Sequence, residues 1–177
     1  MREGYWVRRF DGDLDWIPEK TPFNKDVHFS SASEEWETPQ HIFDSLNEEF
    51  HFTLDPCATH KNAKCEKYYT KEDDGLAQSW AGERVFMNPP YGREIEKWIR
   101  KAWRSSLESN TIVVCLLPAR TDTRWFHRYC AEGMIWFIQG RLKFGENENS
   151  APFPSMIVIF PKDYDGRLPP NRRSENV

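Results

Sequence analysis

Four consecutive residues near the middle of the chain, Asn88-Pro89-Pro90-Tyr91, are the types that could act on a flat group bearing an NH2. Asn88 brings an amide, Pro89 a carbonyl and Tyr91 an aromatic face. Two prolines in succession fix φ twice and remove two backbone donors. The residue before each proline is pushed towards an extended conformation. The loop is therefore stiff, and its acceptors and its ring stand in fixed relation. It follows the short apolar run Val85-Phe86-Met87 and precedes an amphipathic stretch opening at Gly92. Strand, rigid loop and helix are the expected context. The carboxyl edge of an open α/β sheet is where ligands bind.

Further candidates flank this loop. Asp55 ends a short strand at His51–Asp55 and is followed by Pro56-Cys57-Ala58. An acid there can accept hydrogen bonds or attract a cationic ligand, although the glycine-rich loop of nucleotide folds is missing. Glu72, Asp73 and Asp74 make an acidic turn after a second short strand. Such a turn is either solvated or a holder of both ribose hydroxyls. Cys57, His60 and Cys65 lack the paired spacing of a zinc site, so no metal is expected. Arg93, Lys97, Arg100 and Arg104 recur at helical steps on one face, and Arg120, Arg124, His127 and Arg128 concentrate charge further on. Solvated faces and phosphate contacts both fit that pattern.

The positioning elements follow from periodicity and punctuation. Thr38 reads as an N-cap with Pro39 at the first helical position. Ile42, Phe43, Leu46 and Phe50 then recur at helical spacing to about Glu49. Strands are expected at 51–55, 66–70, 84–87, 111–117, 133–138 and 155–160, and helices at 94–107 and from the Thr121–Thr123 cap to about Cys130. Residues 140–145 read as a turn or short strand and 146–154 as a polar loop. Strands alternating with helices imply an α/β fold with a mostly parallel sheet. The last two strands are joined without a helix, so an antiparallel final strand at the sheet edge is expected. Residues 1–33 lack periodicity and read as an N-terminal extension, draped or partly disordered. The body of the fold is 34–161, and 162–177 is a polar, proline-punctuated tail.

Composition narrows the class. At 177 residues the chain suits one core-bearing domain. Net charge is −4, so a polyanion cannot be bound by bulk charge and needs a local basic patch. Aromatics reach 15%, with eight Trp, enough for packing and for stacking on bases. The four cysteines follow no disulfide rhythm and read as reduced thiols of a cytoplasmic protein. The longest apolar run, Ile112–Leu117, is too short to span a bilayer.

Taken together the residues resemble the S-adenosylmethionine-dependent amino-group methyltransferases, above all the small phage-type DNA N6-adenine methyltransferases. The resemblance runs from about Ser33 to Pro161. It rests on Glu35-Trp36-Glu37-Thr38-Pro39, Leu54-Asp55-Pro56-Cys57-Ala58, Asp74-Gly75-Leu76 with Trp80, and Asn88–Gly92. Leu117–Thr123 with Trp125-Phe126-His127, Gly140–Phe144 and Ala151–Ser155 complete it. It implies a Rossmann-like fold and transfer of methyl to adenine N6 in double-stranded DNA, with the target base flipped out. Trp36 would contact the cofactor, and Thr38 and Pro39 would lie at its methionine end. Asp55, Pro56 and Ala58 would lie beneath it, with Asn88 beside it. Asp73, or less favourably Asp74, would hold the ribose. Asn88 and Pro89 would accept the amino N–H bonds, Pro90 would stiffen the loop, and Tyr91 and Phe153 would sandwich the base. Arg93, Arg120, Arg124, Arg141 and Lys143 would contact DNA, with 140–153 the first candidate for sequence recognition. Only 33 positions separate Asp55 from Asn88, so one βα unit reads as trimmed. The same tetrapeptide could serve RNA or a protein glutamine amide, and a DNA-binding module without catalysis is the third reading. The oligomeric state is left open, with a monomer sufficient.

Overall fold

The computed structural model describes residues 4–8, 14–18, 36–145 and 150–160. Expectations for the rest of the amino-terminal extension, for 146–149 and for the tail from 161 lie outside the described residues. The chain divides into two units, Met1–Ala32 and Ser33–Val177. In the first, β1 (Gly4–Arg8) and β2 (Leu14–Pro18) pair antiparallel, with Trp6 opposite Trp16. No strand was expected there.

The second unit is built on a six-stranded sheet. Its strands are β3 (Leu54–Asp55), β4 (Lys67–Tyr68), β5 (Arg84–Met87), β6 (Ile112–Pro118), β7 (Met134–Phe137) and β8 (Ser155–Phe160). Their order across the sheet is β4-β3-β5-β6-β8-β7. The first four are parallel, while β8 runs antiparallel to both of its neighbours. The final strand is therefore antiparallel as expected but lies inside the sheet, and β7 takes the edge. Burial explains the difference: all six residues of β8 are buried, whereas β7 is half-buried and ends in exposed Phe137. A strand apolar on both faces belongs in a sheet interior.

Among the described residues three α-helices accompany the sheet, α1 (Gln40–Phe50), α2 (Ile95–Ser105) and α3 (Arg124–Arg128), with a 3-10 turn at Cys130–Glu132. On α1 the buried residues Phe43, Leu46 and Phe50 form the inward stripe, and the Phe43 ring meets Phe86 of β5 edge-on at 5.2 Å. The helix ends on His51, at φ 49°, in the left-handed conformation common at helix ends. Its start differs from the expected one. Pro39 occupies the cap position and has no side-chain acceptor to offer, while the Thr38 hydroxyl accepts from Asn88. The Pro39 carbonyl accepts from Ile42 and Phe43 instead. Thr123 does cap α3, accepting from the Phe126 N–H.

The shortness of the chain before Asn88 is taken up in the crossovers. Neither β3–β4 nor β4–β5 contains an α-helix; turns replace them. What holds these turns is local. Trp80, 1% exposed, donates from Nε1 to the Gly75 carbonyl at 2.9 Å. Gly75 in turn presses on the loop after β3, so closely that a Cβ there would collide with the Pro56 carbonyl oxygen. The substitution Gly75→Ala should therefore lower stability by about 1–3 kcal/mol, the usual cost of overpacking. Urea unfolding measures it, and an unchanged midpoint would show that the contact is not tight.

Candidate active site

Asn88 stands where β5 ends, and its amide is oriented by two acceptors. Its Nδ2 donates to the Trp36 carbonyl at 2.5 Å and to Thr38 Oγ1 at 2.8 Å. A backbone carbonyl can only accept, so the NH2 must face it and the side-chain oxygen must point the other way. That oxygen, Oδ1, is buried without a hydrogen-bond partner. An orphaned buried acceptor costs about 1–3 kcal/mol. Such groups persist where a function uses them.

Beside this amide lies a cavity of about 580 Å³, within the range of small-molecule sites. It is lined from the carboxyl ends of β3 and β5, adjacent parallel strands, by Asp55–Thr59 and Asn88–Pro90. Trp36, Glu37 and Thr38 line it from the segment before α1. The position fits the rule for open α/β sheets, because the strand order reverses its direction of travel at β3.

The acids divide the work. Asp55 is buried, and its two oxygens accept from the backbone N–H of Cys57 at 3.2 Å and of Lys64 at 3.1 Å. It thereby folds the loop that replaces a glycine-rich one. Burial holds its carboxyl above the usual range, and these two hydrogen bonds only partly oppose that. Of the 72–74 turn, Asp74 lines the cavity. Asp73, the favoured candidate from sequence, is not among the lining residues: its Oδ2 accepts from the Thr70 N–H and hydroxyl, both at 2.8 Å. Those hydrogen bonds hold its carboxyl below the usual range. Asp74 sits at φ 52°, a conformation that aspartate tolerates better than most residues.

Tyr91 is not displayed as the bare loop suggested. It is 7% exposed, and its hydroxyl donates to the Leu116 carbonyl at 3.1 Å. Burial pushes its phenol well above the ordinary value. The ring packs edge-on against Phe153 at 5.5 Å and Phe144 at 6.2 Å. Trp36 meets the same two phenylalanines, at 5.0 and 5.3 Å. These four rings form a cluster next to Asn88. The Gly145 N–H, donating to the Glu37 carbonyl at 2.9 Å, ties the 140–145 segment to the same place. That segment is a turn and not a strand.

Trp36, Thr38, Asp55, Pro56, Ala58, Asp74, Asn88, Pro89 and Pro90 are brought together on the cavity, whereas Pro39, Asp73, Tyr91 and Phe153 are not among its lining residues. Arg93, Arg124, Arg141 and Lys143 are exposed and Arg120 half-buried, all outside the lining. Sequence reasoning missed Lys64 and Lys71 as lining cations, and Trp98 as lining aromatic. Trp98 follows the helical spacing of Ile95, Ile99 and Ala102 on α2, and in sequence that spacing reads as packing. Nothing in the polar run His60–Lys64 distinguished its last lysine. Among the described residues no group of three or more His, Cys, Asp and Glu could hold a metal ion. No helix there is long and apolar enough to cross a membrane.

A Rossmann-like sheet, a cavity at its carboxyl strand ends and an amide presenting a free acceptor beside it are the features an amino-group methyltransferase needs. The chain belongs to the DNA N-6-adenine-methyltransferase (Dam) family, whose model matches residues 27–167. It is 32% identical over 143 residues to the DNA N-6-adenine-methyltransferase of Haemophilus phage HP1, covering 75% of this chain and 82% of that protein. It is 34% identical over 105 residues to the enzyme of that name from Escherichia phage T1, covering 57% of this chain and 43% of that one. Against the putative methyltransferase YfdM of Escherichia coli it is 42% identical over 77 residues, 38% of this chain and 84% of the relative.

The Tyr91 hydroxyl has a structural task separable from its ring. Replacing it in Tyr91→Phe should cost about 0.5–1.5 kcal/mol of stability, the net worth of one hydrogen bond. The urea midpoint reports this, and a midpoint equal to wild type would remove the anchor to Leu116.

Proposed function

We propose that the chain transfers a methyl group from S-adenosylmethionine to the N6 nitrogen of an adenine flipped out of double-stranded DNA. Adenine N6 methylation in DNA is the activity of its family, and a methyl donor is required for it. The observation that carries the residue-level reading is the Asn88 amide, tied off at Nδ2 and left unpaired at Oδ1. An adenine amino group is the complement of that acceptor.

The cofactor supplies a methyl group activated on a sulfonium. The cavity lining suits it: Asp74 can accept from ribose hydroxyls, the Asp55–Ala58 loop floors the site, and Trp36 and Thr38 stand beside Asn88. Pro39 would shape that end through the backbone. The remaining work is done by the chain. Adenine N6 is a weak nucleophile because its lone pair is delocalised into the ring. Asn88 Oδ1 and the Pro89 carbonyl would each accept one N–H bond, favouring a pyramidal nitrogen and stabilising the charge that develops on it. Pro90 keeps both acceptors from drifting. The proton can leave after transfer, so no general base is assigned.

The target atom is out of reach inside a duplex, so the base must be extruded. Tyr91 and Phe153 pack edge-on in this structure, so Phe153 would swing aside for adenine to stack on Tyr91. Stacking of this kind is worth about 1–3 kcal/mol per base. Arg93, Arg120, Arg124, Arg141 and Lys143 would contact the DNA backbone, the local basic surface that a net charge of −4 demands. All these groups come from one chain, so a monomer can act, in the cytoplasm where host DNA lies.

The test is methyl transfer from labelled cofactor to unmethylated DNA, with RNA and protein as parallel acceptors. Asn88→Ala should lower kcat by about 100- to 1,000-fold, the cost of losing one such acceptor, with cofactor affinity largely kept. Asn88→Asp should fail as well, because it sets a carboxylate against the Trp36 carbonyl. Full activity in either variant would sink the mechanism. Label on RNA or protein alone would favour another amino acceptor, and affinity for DNA without turnover would favour a binding module.

A further inference from the structure

Lys64 is a largely buried cation with an incomplete set of partners. Its side chain is 11% exposed and lines the cavity. An ammonium carries three donors. One goes to Gln40 Oε1 at 2.9 Å. The nearest carboxylate, Glu37 Oε1, stands at 3.9 Å, within ion-pair range but beyond a hydrogen bond. Glu37 lines the same cavity, and its side chain is half exposed. The pair sits at a definite place: Glu37 is next to Thr38, which holds the Asn88 amide, and Gln40 opens α1 two residues later.

An ammonium on a largely buried side chain, with donors to spare among the described residues and beside a carboxylate it does not fully engage, suits a ligand carrying both charges. Asp55 is already served by two backbone N–H groups, and the Lys64–Glu37 pair stays open where Lys67 and Glu83 close to 2.6 Å. A zwitterionic amino acid would enter between Lys64 and Glu37 and satisfy both. S-adenosylmethionine ends in such a group, and placing it here would leave its nucleoside to the Asp74 side of the lining.

Resting on the cofactor reading above, we infer that Lys64 and Glu37 form a clamp for the zwitterionic end of the cofactor, Lys64 taking the α-carboxylate and Glu37 the α-ammonium. Neither residue is assigned to catalysis; their role is to bind and to fix the register of the donor against Asn88.

The experiment crosses protein variants with ligand variants by calorimetry on the full chain. S-adenosylhomocysteine carries both charges, decarboxylated S-adenosylmethionine lacks the carboxylate, and 5′-methylthioadenosine lacks both. For Lys64→Met, S-adenosylhomocysteine should bind about 10- to 100-fold more weakly, as loss of a charge-assisted hydrogen bond implies. The other two ligands should bind as before. Lys64→Arg should keep the preference for the carboxylate, and Lys64→Gln should lose it, the latter serving if the Met variant does not fold. Glu37→Gln should weaken both ligands that carry the ammonium and leave 5′-methylthioadenosine unchanged. Equal weakening of all three ligands would mean a structural role and overturn the clamp, as would an undiminished carboxylate preference in Lys64→Met. A wild-type chain that binds none of the three would overturn the cofactor reading, and the clamp with it.

Discussion

Two hydrogen bonds from one amide organise this protein. Asn88 Nδ2 reaches the Trp36 carbonyl and Thr38 Oγ1, and so joins the end of β5 to the segment that leads into α1. Because the NH2 is fully engaged, the oxygen is turned where nothing among the described residues satisfies it. The unpaired acceptor is unfavourable to the folded state, and the cost is borne by neighbours that allow no alternative. Pro89 and Pro90 prevent the backbone from rotating it away. The Trp36 ring, packed on Phe144 and Phe153, holds the accepting carbonyl in place. The same segment receives the Gly145 N–H through Glu37. The cavity, the amide and the 140–145 segment therefore share a three-residue strip, 36–38.

The second constraint is brevity. A chain with only 33 steps between Asp55 and Asn88 cannot house two crossover helices. It builds this side of the cavity from turns, and turns need individual fasteners. Asp55 supplies one set by accepting from Cys57 and Lys64, and Trp80 another by donating to Gly75. Asp73 closes the turn at Thr70 and leaves the cavity to Asp74. The burial of Asp55 raises its pKa, so the folded state binds its proton more tightly than the unfolded chain does. Ionisation of Asp55 therefore subtracts from stability as pH rises from its ordinary value to its raised one. Its backbone hydrogen bonds moderate that loss.

How much could be read beforehand depended on whether a signal was local. The parallel core, β5 and β6 with the helix between them, follows from apolar runs and helical spacing, and the antiparallel last strand follows from the missing crossover helix. Its interior place was also legible, since Ser155–Phe160 is apolar almost throughout, but chain order suggested an edge. The hairpin β1–β2 left no alternating pattern to find. At the site, the prolines and Asn88 announced themselves by type and order. The use of Thr38 did not: a threonine before a proline at a helix start reads as a cap, and only the fold brings Asn88 to its hydroxyl. Asp73 and Asp74 differ by one position, and only the fold shows that Thr70 engages Asp73 through two hydrogen bonds while Asp74 lines the cavity. Lys64 matters through burial, which its polar surroundings in sequence conceal.

The central claim is that a tethered NH2 makes the Asn88 oxygen the acceptor, and Thr38 is where that tether can be cut without touching Asn88. Thr38→Val keeps the buried shape and removes only the hydroxyl. Steady-state methyl transfer to DNA should show kcat lowered roughly 3- to 10-fold, as one lost hydrogen bond implies. The KM for cofactor should change little, and Thr38→Ser should restore the rate. A valine variant as fast as wild type would contradict the account.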